Sequence, residues 1–155
     1  MTFRAYLLSA MILGAPTATY ANFGDTEAVT GSDGVVLTAT HLETFDKPWA
    51  MAFLPDGRSL VTEKEGRIWL LGTDGQKLGE ITGVPDVTER GQGGLGDIYV
   101  PSDFAETGEV YISYVERDDK DNGLSGAVVQ RAALTLSGTG GMLTETRRIW
   151  AQSPK

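Results

Sequence analysis

Two stretches of this chain repeat one pattern, and that repeat limits what the chain can fold into. Trp49-Ala50-Met51-Ala52-Phe53-Leu54 runs into the turn Pro55-Asp56-Gly57, followed by Leu60-Val61-Thr62-Glu63 and then Gly66-Arg67-Ile68-Trp69-Leu70. Leu95-Gly96-Asp97-Ile98-Tyr99-Val100 runs into Pro101-Ser102-Asp103, followed by Val110-Tyr111-Ile112-Ser113-Tyr114 and then Ala127-Val128-Val129-Gln130-Arg131. Pro55 and Pro101 stand 46 residues apart, about the length of one four-stranded propeller blade. The apolar runs are all short, among them 35–41, 59–63, 67–71, 109–115, 127–136 and 147–150. Asp-Gly pairs and glycine clusters separate them, and glycine accepts the positive φ of tight turns without steric cost. No window carries a helical period. The expected fold is therefore all-β, a β-propeller of which this chain supplies about two blades, over residues 35–155.

Propellers close with about four to eight blades, so two blades leave edges and one blade face uncovered. The chain is expected to be a truncated piece, with Gln152-Ser153-Pro154-Lys155 reading as a loop in progress. Residues 22–34 are polar and glycine-containing, and are expected to form a flexible lead-in. Before them, Arg4 precedes the apolar run 7–15, and Thr19 and Ala21 stand like the −3 and −1 residues of a cleavage site. A positive start, a short apolar stretch and a small-residue exit predict a signal peptide over 1–21 and an exported, periplasmic or secreted protein. The apolar run is too short for a membrane-spanning helix.

Composition excludes several classes of function. Thirteen basic and 21 acidic residues give a net charge of −8, which disfavours nucleic acid and anionic membrane surfaces as partners. There is no cysteine for thiolate chemistry or disulfides, and His41 is the single histidine. Standing at the end of an early strand, His41 reads as a packed or surface residue and not as a base. The oxygen-rich loop 118–123 lacks the late glutamate of a calcium loop and contains Lys120, so it reads as a solvated hairpin. Trp49, Trp69 and Trp150 read as blade-packing residues, and Glu63 and Glu65 as alternating carboxylates paired with Lys64.

Gly91, Gly93 and Gly96 spell G-x-G-x-x-G, but the strand-like run after them ends at Pro101, so no helix begins there to hold a dinucleotide. Two readings stay open: a plain turn into an innermost strand, or a backbone kept small so that a flat ligand can approach. Gln92 is the polar side chain within that run. The residues alone lead to an exported propeller and stop short of a reaction.

A resemblance goes further. Residues 47–57 (KPWAMAFLPDG), Leu60-Val61-Thr62-Glu63, Gly66-Arg67, Gly83-Val84-Pro85-Asp86-Val87, Arg90-Gly91-Gln92-Gly93-Gly94-Leu95, Asp103-Phe104-Ala105 and Val110-Tyr111-Ile112-Ser113-Tyr114 resemble, in order and spacing, the glucose/sorbosone dehydrogenase family. The similarity is to its soluble, PQQ-dependent aldose sugar dehydrogenase branch, and covers residues 42–155. It implies a six-bladed propeller holding pyrroloquinoline quinone (PQQ) and Ca²⁺, with an aldose and an electron acceptor as partners. Such enzymes oxidise the anomeric carbon to a lactone. Of the family's site residues, the resemblance places one here: Gln92, beside the quinone and sugar, with Arg90 as its neighbour. No catalytic residue and no metal ligand falls on this chain. The family's histidine follows a Gln-x-Pro-Lys segment, and this sequence ends at Gln152-Ser153-Pro154-Lys155, so the chain alone is expected to be inactive. Gly96 departs from the family's bulkier apolar residue and is expected to loosen the inner strand. A propeller lactonase or hydrolase, or a non-catalytic glycan- or protein-binding propeller, would share the blade pattern.

Overall fold

A computed structural model describes residues 22–118 and 123–155; the signal segment expected over 1–21 and most of the 118–123 loop lie outside them. The short apolar runs form two antiparallel four-stranded meanders. The first contains β3 (Pro48–Phe53), β4 (Ser59–Glu63), β5 (Arg67–Leu71) and β6 (Lys77–Thr82). The second contains β7 (Leu95–Tyr99), β8 (Glu109–Arg117), β9 (Ser125–Ser137) and β10 (Gly140–Ala151). Each meander has the form of one propeller blade, with β3 and β7 innermost. Pro55 and Pro101 each follow an innermost strand and end its ladder, as a residue without an N–H must. A short parallel pairing, Ile81 with Gly141 and Thr82 with Met142, joins the outermost strands β6 and β10.

Between the blades lies one apolar layer. Leu60, Ile68, Leu70 and Ile81 of the first blade pack with Leu95, Ile98, Val110, Ile112 and Val128 of the second. Each such side chain contributes about 1.5–3 kcal/mol by leaving water. A buried hydroxyl crosses the same layer: Thr62 Oγ1 donates to the Gly96 carbonyl (2.8 Å) and accepts the Ala50 N–H (3.0 Å). Thr62→Val preserves the shape but leaves both backbone groups without that partner, at an expected cost of about 1–3 kcal/mol. A lower urea midpoint with an unchanged slope would show it; an unchanged midpoint would contradict it.

Three expectations need correction. The segment 22–34 contains a strand, β1 (Thr26–Thr30), paired residue for residue with β2 (Val36–Thr40) across a turn at 31–34. Thr26, Val29 and Thr30 have strand propensity, and the segment pairs despite its polarity. Residues 35–41 therefore belong to this hairpin and not to a blade, and the blade body begins at Leu42. One helical turn, α1 (Phe104–Thr107), follows Pro101 and closes at Gly108, whose N–H reaches the Phe104 carbonyl (2.7 Å). It is too short to show a helical period. Of the tryptophans, Trp69 is partly buried beneath the Lys77 ammonium (4.6 Å), whereas Trp49 and Trp150 are 50% and 52% exposed.

Candidate functional site

Both innermost strands begin with the same irregularity. Pro48 pairs with Glu63 and Ala50 with Thr62, so Trp49 is an extra residue in β3. Leu95 pairs with Tyr114 and Ile98 with Ile112, so β7 also carries one extra residue, at Gly96-Asp97. A bulge orphans ladder donors and re-aims a side chain. Here a hydroxyl from the second strand takes each freed N–H: Thr62 Oγ1 accepts Ala50 N, and Ser113 Oγ accepts Asp97 N at 2.9 Å. A Cβ on Gly96 would lie 2.8 Å from that Ser113 Oγ. Glycine at 96 thus admits the serine that repairs the strand, and the expected loosening takes the form of a bulge fixed in place.

The glycine run forms a tight turn, with Gly93 N–H on the Arg90 carbonyl (2.9 Å). Strand β8 holds one side of it: Thr88 N–H reaches the Val115 carbonyl (2.7 Å), and Val115 N–H the Gly94 carbonyl (2.9 Å). Lys64, in the β4–β5 turn, holds the other side. Its carbonyl accepts Leu95 N–H (2.9 Å), and its ammonium donates to the Gly91 carbonyl (2.7 Å). Gly94 has φ +115°, and a Cβ there would fall on the Lys64 carbonyl oxygen. The turn reading of the glycines is therefore the one that packing supports at Gly93, Gly94 and Gly96, while above Gly91 the space is open.

Ion pairs stiffen the surrounding loops. Lys47 bridges Glu65 (3.0 Å) and Glu89 (2.9 Å), and those contacts, Glu89's first, raise its pKa. The same contact lowers that of Glu89. Glu65 also lies 3.4 Å from Arg67, so its partners are Lys47 and Arg67 and not the expected Lys64. Glu63 is buried; it accepts the Arg67 Nε–H (2.7 Å) and the Asp46 N–H (2.7 Å). Burial pushes its pKa up, but the Arg67 guanidinium and the Asp46 amide outweigh burial and hold it below the ordinary value.

Gln92 is exposed at the tip of the turn and lines a hollow of about 160 Å³ with Trp49, Gly94, Gly96, Ser113 and Ala127. The indole, the bare glycine backbone and the carboxamide suit one face of a flat, hydrogen-bonding ligand, so the residues present fit part of a quinone site. Arg90 opens the turn, exposed. His41 instead ends the β1–β2 hairpin and lines a separate hollow with Asp25, Glu27 and Thr40. Among the described residues no three His, Cys, Asp or Glu side chains converge to hold a metal ion, so no calcium ligand set is assigned to this stretch. Trp49, read from the sequence as a blade-packing residue, lines this hollow beside Gln92. Its signal was the bulge, which periodicity does not reveal.

Comparison with known proteins agrees with the propeller fold. The family model described as Glucose / Sorbosone dehydrogenase matches residues 45–155. The aldose sugar dehydrogenase YliI of Escherichia coli K12 is 35% identical over 116 residues, 73% of this chain and 30% of the relative. A crystal structure of the soluble aldose sugar dehydrogenase (Asd) from Escherichia coli in the apo-form superposes with a TM-score of 0.64 at 35% identity, covering 71% of this chain and 31% of that one. The PQQ-bound form of aldose sugar dehydrogenase (Adh) from Streptomyces coelicolor gives 0.57 at 26% identity, over 72% and 32%. The chain spans about a third of the length of these relatives.

Proposed function

The chain belongs to the glucose/sorbosone dehydrogenase family, and on that premise we propose that it forms the first two blades of an exported quinoprotein that oxidises aldoses at the anomeric carbon to lactones. Its cofactor is PQQ, which when bound supplies the hydride acceptor. The observation that carries this reading is the exposed Gln92 carboxamide, held over the hollow by a turn fastened on both sides. A side chain on a turn so fixed loses little further freedom on binding, which favours a positioning role. Gln92 has two N–H donors and one carbonyl acceptor, enough to orient a quinone oxygen or a sugar hydroxyl.

No lining residue of the hollow is a carboxylate or a histidine, so this stretch binds and orients and does not itself take the hydroxyl proton. No step is derived through calcium. By this proposal the 155-residue chain retains PQQ but reduces no dye with glucose, even with Ca²⁺ added.

Equilibrium dialysis tests the reading. Gln92→Ala is expected to bind PQQ about tenfold more weakly, roughly the worth of one hydrogen bond to a charged or strongly polar group. Equal affinity in the variant and the parent would remove Gln92 from the site. Sugar-dependent dye reduction without quinone would overturn the quinoprotein reading itself.

A further inference from the structure

Resting on the reading of Gln92 as a quinone contact, we infer that Trp49 and Lys64 complete a site for a planar, carboxylate-bearing ligand. The indole gives the ligand a face to lie against, and the ammonium gives a carboxylate its partner. Trp49 is half-exposed because the β3 bulge turns it out of the strand alternation, and it lines the same hollow as Gln92. The Lys64 ammonium lies 5.6 Å from the centroid of that indole.

The spare donors of Lys64 favour an anion. The nearby carboxylates have partners of their own: Glu65 and Glu89 share Lys47, while Glu63, Glu65 and Asp46 share Arg67. Lys64 and Arg90 make no ion pair among the described residues. Lys64 uses one N–H on the Gly91 carbonyl and keeps two for a ligand. Above Gly91 nothing lies within 4 Å of where a side chain would start, which leaves room over the turn. An indole with an ammonium over its ring, and with no carboxylate in ion-pair contact with that ammonium, selects for a ring that carries carboxylates and against a neutral sugar acting alone.

Equilibrium dialysis of the whole chain with PQQ, and separately with the uncharged flat phenanthrenequinone, tests the two roles apart. Lys64→Met is expected to weaken PQQ about tenfold and flatten its salt dependence, while weakening phenanthrenequinone far less. Lys64→Arg should restore both the affinity and the salt dependence. Trp49→Leu should weaken both ligands and abolish most of the tryptophan quenching that PQQ causes. If Lys64→Met weakens both ligands equally, its work is to hold the Gly91 carbonyl, and the charge role is overturned. Parent-like PQQ affinity in both variants overturns the inference while leaving Gln92 in place if Gln92→Ala still binds weakly. A parent chain that retains no PQQ overturns both readings together.

Discussion

Gly94→Ala is expected to destabilise the blade body by about 3 kcal/mol, a drop in melting temperature of roughly 10 °C or more. Two costs combine there. The backbone at φ +115° lies where an L side chain is strained, and the added methyl would land on the Lys64 carbonyl. That carbonyl is the acceptor for Leu95 N–H, the first residue of β7, so relieving the clash opens the junction between the blades. Gly91→Ala provides the control. Its φ of +58° is also left-handed, but the methyl meets open space, so the expected cost is about 1 kcal/mol. Thermal melts of the two variants should therefore separate clearly. Similar small losses would mean that the close approach at Gly94 is relaxed at little cost, and the turn would not be rigid enough to hold Gln92.

The blade pattern was legible because the first three strands of each blade are written twice. Residues 59–63 and 67–71 stand in the structure with those limits, as β4 and β5, since their apolar residues are contiguous and Pro-Asp-Gly and Lys-Glu-Gly bracket them. β6 escaped notice: Lys77-Leu78-Gly79-Glu80 has little β propensity of its own and is a strand because β5 and β10 pair with it. β10 is twelve residues long where only 147–150 was expected. Its register shifts twice, between Thr144 and Arg147 and again between Arg148 and Trp150, and each shift resets the alternation that periodicity depends on. At Gln92 it was the family resemblance that made a candidate site legible, since the glycine neighbours alone left a plain turn and a ligand-facing backbone both open. Trp49 was not legible, because strict alternation counts it as one more strand residue, and its exposure depends on Thr62 and Glu63, whose pairing skips it. The same limit applied to charge. Proximity in sequence suggested Lys64 as the partner of Glu63 and Glu65, but a turn residue's side chain follows the loop facing it, and Lys64 reaches Gly91 instead.

Glu63→Gln should lower stability by about 2–3 kcal/mol at neutral pH and by much less in acid. The carboxylate is buried and holds the Arg67 guanidinium and the Asp46 N–H; a neutral amide keeps the shape but exchanges two charge-assisted bonds for weaker ones. Removing one partner of a fully buried ion pair costs about 3–5 kcal/mol. The smaller figure applies here because Arg67 is 35% exposed and water can take over part of its charge. The sign with pH follows from the direction of the shift. Arg67 and the Asp46 amide hold the folded-state pKa of Glu63 below its unfolded value of about 4.3. The stabilisation is therefore complete above that unfolded value and disappears as pH falls through the folded one. Urea midpoints of parent and variant are expected to differ most at pH 7 and to differ less at pH 3. A gap of equal size at both pH values would mean that packing, and not charge, is what Glu63 contributes. In that case the ion pairs around the Gln92 turn would be decoration on a junction held by Thr62 and the backbone bonds of Lys64.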